Sequence, residues 1–430
     1  MQGKITISRL VAKGIFHIFF GSVLAQVVSS FASIIVVRNF SKADYGLMSY
    51  YENLYGFFFL MAGFGLANSL LRYVVIADSQ SEKVAVLSYC CKTGSLFNLF
   101  LLSVGVIFSF IYRHPCQFEG GKHFFAVMFF FLPFQYVANL YILNKRAFFN
   151  NKGYAFYSFL STFFLSVFKV FGAVTWGVFG ALIVPLFVHV LFSIALIVSG
   201  KRSCHEVSET LLLPCEKKTE INKYALKYMF ANGLWTLFAL NGTFILGRTI
   251  GSAELIADYR IASFLPTVVS LVSTSMGVFV APYFTKREAG GEYEWVKKYW
   301  IRNMFASVLL IGGSVLILFL GAPFMVRMVF GEKYTSAFPI MRLLLISVLF
   351  GEGIRYPTAN LLAAMNKIFF NIITSCVGIV LQLVSGFYLS FKYSIRGIAY
   401  SNILVQIVMS VLINVFFLVC FFANRLEKNK

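Results

Sequence analysis

The sequence predicts an all-α polytopic membrane protein of about 12 transmembrane helices in two six-helix lobes. Three observations carry this. Of the 430 residues, 59% are hydrophobic and 13% charged, about half the ~25% charged content of soluble domains. The apolar residues gather in long continuous runs, without the alternation of a membrane strand. One long hydrophilic stretch falls near the midpoint of the chain. A water-soluble enzyme or binding domain could not hide this much apolar surface, 51 Phe included, and the same composition excludes disorder and a disulfide scaffold.

The first six runs lie at roughly 14–37, 47–71, 84–111, 123–143, 154–174 and 176–199. The second six lie at roughly 224–250, 261–284, 303–326, 338–364, 368–390 and 398–422. Lys4, Arg9 and Lys13 precede the first run, as in a signal peptide, but the run is too long and has no small-residue cleavage site, so it reads as a retained span. Between the fifth and sixth runs only Thr175-Trp176-Gly177 and their neighbours form a turn. The midpoint stretch carries KRSCHEVSET and CEKKTE with Pro214 between them. It divides the chain into an N-terminal lobe (1–205), a cytoplasmic linker (206–223) and a C-terminal lobe (224–430). The stretch 285–302 sets Trp295, Tyr299 and Trp300 among Lys297, Lys298 and Arg302. It fits either an amphipathic helix in the headgroup region or a loop with an aromatic anchor. Pro133, Pro185, Pro266 and Pro357 punctuate spans and suit bent helices.

The formal charge is +20, from 37 Lys+Arg against 17 Asp+Glu. In a soluble protein that excess would suggest nucleic acid. Here its distribution follows the positive-inside rule. With the N-terminus in the cytoplasm, inside segments hold 22 Lys/Arg, outside loops 10, and five lie within spans. The expected placement is multi-pass, with both termini cytoplasmic and no nucleic-acid partner.

Arg38-Asn-Phe-Ser-Lys-Ala-Asp44 and Arg248-Thr-Ile-Gly-Ser-Ala-Glu254 share the pattern R-x-apolar-small-x-A-acid at an offset of 210 residues. Both follow the first span of a lobe, which predicts a parallel internal duplication and a substrate path between two lobes, opened alternately to each side.

No chemistry-bearing motif accompanies this frame. The seven cysteines form no CxxC spacing or Cys/His cluster, so no metal site is expected. There is no G-x-x-x-x-G-K-[ST], H-E-x-x-H or G-x-S-x-G, so no catalytic residue and no cofactor are expected, and the chain reads as no enzyme. RYVVIADSQSEK lacks the Gly/Asp/Arg pattern of major-facilitator carriers. The outside loops are short, which counts against a membrane polysaccharide polymerase or glycosyltransferase.

Charges inside the bilayer are therefore the candidate site residues, because each costs about 2.5–3.5 kcal/mol at mid-span. Arg72, Arg248 and Lys227 lie at span ends, where they can snorkel to the headgroups. Lys92, Lys169 and Arg342 lie a turn or two from an end. Glu352 and Arg355 sit near the middle of span ten, at a spacing that places them on one α-helical face, with Pro357, Gly351 and Gly353 beside them. They fit a substrate- or ion-facing site, or an ion pair that only fixes packing. Glu52, with Asn53, Tyr50, Tyr51 and Tyr55 around it, fits a sugar-binding wall or an interfacial aromatic belt. His17 and His189 read as packing residues.

The stretch VVRNFSKADYGLMSYYENLYGFFFLMAGFGLANSLLRYV resembles the N-terminal signature of Wzx-type O-antigen and capsular polysaccharide flippases, of the multidrug/oligosaccharidyl-lipid/polysaccharide exporter superfamily. Arg38, Tyr45, Gly46, Gly65, Leu66, Arg72 and Tyr73 carry the likeness. ILGRTIGSAELIADYRIASFLP, APYFTK, FGEKYTSAFPIMRLLLIS and SIRGIAYSNILVQ continue it through the second half. The departure is at Asn241-Gly242, where many relatives carry an Asp. The resemblance implies the exporter-superfamily fold and translocation of an undecaprenyl-diphosphate-linked oligosaccharide, an O-antigen, lipopolysaccharide or capsule repeat unit, to the periplasmic leaflet. It implies the bacterial cytoplasmic (inner) membrane as location and membrane lipids, a polysaccharide polymerase and chain-length proteins as partners, and leaves the coupling ion, H+ or Na+, open. The cavity candidates are then Arg355 and Glu352, with Arg72, Arg248, Arg342, Lys169 and Glu52 behind them. The runner-up is a multidrug/cation antiporter of the same superfamily.

Overall fold

The computed structural model describes residues 7–112, 121–204, 213–270, 273, 293–365 and 367–428. The stretch APYFTK, the part of the 206–223 linker before Leu213, most of the run 261–284 after residue 270, residues 285–292 of the stretch 285–302 and the His17 side chain lie outside the described residues. Among those described there is no strand, and the chain is nearly all helix. Eight helices are long and apolar enough to cross a membrane, nine with one bent pair counted as a span. One of the eight, Asn151–Ala195, runs through both the fifth and the sixth sequence-predicted spans. Large apolar side chains face outward, Ile317 and Phe391 among them at 72% and 73% exposure, which a hydrocarbon solvent permits and water does not.

The chain forms two compact units, Met1–Gly233 and Leu234–Lys430. The first opens with helix Ile7–Asn39 and continues through Lys42–Leu60, Leu66–Ile76 and Gln80–Ile111. Helix starts are set by serines: Ser41 accepts from the Asp44 N–H and Ser79 from the Glu82 N–H, each at 3.1 Å, which satisfies donors the helix cannot reach itself. Glu82 reaches back to the Asp78 N–H at 3.1 Å, close to a capping box.

The second span was expected to run unbroken over 47–71. It bends by 47° instead. Gly63, Phe64 and Gly65 all take left-handed backbone, φ 65°, 53° and 74°. Tertiary contacts stabilise the break. Asn98 Oδ1 accepts the freed Gly63 N–H at 3.0 Å. The Tyr136 ring occupies the space a Cβ at Gly63 or at Gly94 would need, and its hydroxyl donates to the Cys90 carbonyl at 2.7 Å. Only glycine tolerates both the left-handed backbone and this approach.

Helices Gly121–Phe130 and Leu132–Ala147 follow, the second with Pro133 in its first turn. Helix Asn151–Cys204 turns at Trp176 (φ −126°, ψ 16°) and Gly177 (φ 62°, ψ −140°), where the sequence placed the break. In the second unit Ser394 repeats that backbone, φ 54°, ψ −139°, between Ile368–Tyr393 and Ile395–Lys428. The glycine three residues on, Gly180 or Gly397, lies against the carbonyl of Gly172 or Leu389, so close that a Cβ would collide. The two units thus share one turn in backbone and in contact.

Helix Cys215–Thr249 begins inside the stretch read as a linker. Its first turns bury Ile221 and Ala225 in the apolar cluster of Leu66, Leu70, Val86 and Leu140, and Ile221 O accepts from Ser69 Oγ at 3.2 Å.

The second unit continues with Ala253–Ala262, capped by Ser252, then Tyr293–Phe330, Phe338–Val348, Tyr356–Ala364, Ile368–Tyr393 and Ile395–Lys428. Residues 293–302 are neither a separate surface helix nor a loop: they are the first turns of Tyr293–Phe330. Trp300 stacks on Phe417 at 4.7 Å and donates from Nε1 to Thr358 Oγ1 at 3.0 Å, so packing claims it.

Candidate functional site

Within the second unit, span ten is two helices joined by a π-helical segment, Leu349–Arg355. Gly351 and Gly353 loosen the winding, and Pro357 starts the next helix, where its missing N–H costs little. Such π segments inside a helix are frequently functional. Glu352 and Arg355 both lie in it, 6% and 7% exposed. At 1.5 Å per residue Glu352 stands about 20 Å from either end of the run Phe338–Ala364, and Arg355 about 14 Å from its nearer end, both within the interior of a span. The π winding removes the simple α-helical face expected of their spacing, and both charged side chains are buried within it. Glu352 Oε2 and the buried Gln406 Oε1 complete no normal hydrogen bond with a described donor. Gly351 makes room for Gln406: a Cβ there would stand 2.8 Å from Oε1. The arrangement is a mid-span cation and carboxylate with spare buried acceptor capacity.

Within the first unit the structure joins two residues that sequence reading had kept apart. Lys169 Nζ lies 2.6 Å from Glu52 Oε1, with side-chain exposures of 21% and 31%. Lys169 therefore reaches sideways to a carboxylate instead of snorkelling along its span. Beside the pair, the Tyr50 and Tyr112 hydroxyls share a 2.8 Å hydrogen bond, and the Tyr55 hydroxyl donates to Gln135 Oε1 at 2.8 Å. Tyr50 and Tyr55 are hydrogen-bonded inside the unit, and Tyr50, Tyr51 and Tyr55 are all buried.

The other candidates are not gathered at either pair. Arg72 and Arg248 are exposed. Arg342 is held by its own unit: its Nε donates to the Phe319 carbonyl at 3.0 Å, and its guanidinium lies 4.9 Å over the Phe319 ring. Pro323 explains this contact. It sits inside helix Tyr293–Phe330 and cannot donate to the carbonyl four residues back, which is that of Phe319. Arg342 supplies the missing donor.

Sequence reading missed a buried amide chain in the second unit. Asn241 donates to Gln382 at 3.2 Å, Gln382 to Asn402 at 2.9 Å, and Asn402 to the Tyr259 hydroxyl at 3.1 Å. Where relatives of the resembled family carry an Asp, this chain has a neutral network, and Gly242 accommodates the Tyr259 hydroxyl. Isolated Gln and Asn within apolar runs were the available signal. Buried Asp258, accepting from Ser336 at 3.0 Å through both carboxylate oxygens, was also missed. Among the described residues no three His, Cys, Asp or Glu side chains cluster to hold a metal ion.

No family model and no curated protein matches the chain. Solved structures do. An inward-facing multidrug resistance MATE family transporter of the MOP superfamily superposes with a TM-score of 0.72 at 13% identity, over 93% of this chain and 95% of that one. The lipid II flippase MurJ, in an inward closed conformation, gives 0.72 at 14%, over 95% and 92%. A MOP superfamily transporter from Pyrococcus furiosus gives 0.63 at 15%, over 96% of both. The fold is the exporter fold of MATE transporters and MurJ. At these identities the likeness is one of fold.

Proposed function

We propose that this protein is a flippase that carries a polyprenyl-diphosphate-linked oligosaccharide, an O-antigen or capsule repeat unit, from the cytoplasmic to the periplasmic leaflet by alternating access. The observation that carries the reading is the mid-span pair Glu352 and Arg355 on a π segment, in a fold shared with a lipid II flippase. The Wzx-type resemblance of the first two spans supports it. A diphosphate headgroup cannot cross hydrocarbon alone, while its polyprenyl tail can stay in lipid. A buried guanidinium offers bidentate N–H donors to phosphate oxygens, and an adjacent carboxylate compensates it when phosphate is away. Glu52 and Lys169 offer the same exchange in the first unit. No motif for ATP hydrolysis accompanies the site, so transport draws on an ion gradient or on removal of the product.

The test is complementation of a flippase-null strain. Arg355→Ala and Glu352→Ala should each abolish surface glycan, with single lipid-linked units accumulating on the cytoplasmic face. Normal display by both variants sinks the mid-span assignment. A drug/cation exporter is the second reading, favoured by the equal TM-score of the MATE transporter and by carboxylates suited to cations. Changed resistance to cationic drugs with intact glycan would select it, and accumulation on the periplasmic face would select a polymerase.

A further inference from the structure

At one end of the first unit, helices Leu66–Ile76, Gln80–Ile111 and Cys215–Thr249 come together, and three basic side chains lie over aromatic rings. Arg72 Cζ is 4.8 Å from the Tyr224 centroid, Lys83 Nζ is 5.8 Å from that of Phe148, and Lys218 Nζ is 6.0 Å from that of Tyr89. All three rings pack against one buried apolar cluster, and Tyr73 braces Tyr224 edge-on at 5.9 Å. A ring face attracts a cation without neutralising it, and the apolar stem covers the cluster beneath.

Of the nearby carboxylates Glu82 pairs with Lys217, and none of Asp78, Glu82, Glu216 and Glu220 pairs with Arg72, Lys83 or Lys218. Among the described residues Arg72, Lys83 and Lys218 form no ion pair. Lys83 is in the first turn of its helix and Arg72 near the last turn of its own, so the charges lie at headgroup depth, where a bilayer carries its phosphates. Three charges are therefore fixed in position, outside any ion pair, and complementary to an anionic surface.

We propose that this collar is a docking surface for anionic phospholipid headgroups of the phosphatidylglycerol type. One bound headgroup layer there touches three segments distant in sequence, so it ties the start of helix Cys215–Thr249 to the first unit and stabilises it. The proposal does not depend on what the protein transports.

The test uses the full chain in neutral detergent, titrated with dihexanoyl phosphatidylglycerol or dihexanoyl phosphatidylcholine, with the thermal unfolding midpoint as readout. Phosphatidylglycerol should raise the midpoint and phosphatidylcholine should not. Arg72→Gln, Lys83→Gln and Lys218→Gln should each weaken the apparent affinity about fivefold, the equivalent of ~1 kcal/mol per basic residue near an anionic surface. The triple variant should lose the response, while Lys333→Gln, in the other unit, should keep it. If the triple variant does not fold, the single variants carry the test. An unchanged response in the variants, or an equal wild-type response to phosphatidylcholine, overturns the proposal. Farnesyl diphosphate binding more tightly than phosphatidylglycerol through the same three residues would reassign the collar to a transported headgroup and overturn the lipid assignment.

Discussion

Removing one charge from span ten should be far more damaging than removing both. Glu352 and Arg355 are 6% and 7% exposed and at least ~14 Å from either helix end, so neither reaches water easily when its partner is lost. Deleting one member of a buried pair costs about 3–5 kcal/mol, because the survivor stays charged in a low dielectric. Replacing both by neutral groups of similar volume is often neutral. Glu352→Gln and Arg355→Met should therefore each lower the unfolding midpoint in detergent by about 10 °C, at roughly 2–4 °C per kcal/mol for a unit of this size. The double variant should recover most of the loss. Surface glycan display should fail in all three, since the double variant is stable but has no cation for phosphate. Two results would refute this reasoning. Additive losses in the double variant would mean the charges do not act on each other. A stable double variant with normal display would leave the pair a packing device only.

Three further outcomes follow from the geometry. Gly63→Ala meets both the Tyr136 ring and a left-handed backbone, which alone costs about 1–2 kcal/mol, and thermal unfolding should show at least that loss. Arg342→Gln should destabilise by about 1–1.5 kcal/mol in the parent and by much less in Pro323→Ala, where the Phe319 carbonyl regains its helical donor; equal losses in the two backgrounds would reject that role. Glu52→Gln and Lys169→Met should each cost about 2 kcal/mol, between an exposed and a buried pair, and the swap Glu52→Lys with Lys169→Glu should restore stability, measured by the same unfolding curves.

The positions of most spans were legible because hydrocarbon admits only long apolar helices, and composition reports them directly; Cys215–Thr249, read as a span over 224–250, is not among the helices apolar enough to cross, and most of 261–284 after 270 lies outside the described residues. The turn at Trp176-Gly177 was legible because a glycine and a tryptophan mark it locally. The break in span two was not: MAGFG reads as apolar, and the left-handed turn depends on Asn98 and Tyr136, donated by other helices. The candidate charges were legible one at a time through the cost of burying them. Their partners were not. Glu52 and Lys169 are separated by 117 positions, and no local pattern connects them.

The amino-acid sequence by itself determined the solvent, the all-helical class and which side chains carry charge into the bilayer, since each follows from transfer free energies summed along the chain. Only the tertiary structure decided how those charges are compensated: Lys169 by Glu52, and Arg342 by a carbonyl that Pro323 frees. Compensation is a matter of distance between side chains on different helices, and packing, not periodicity, sets that distance.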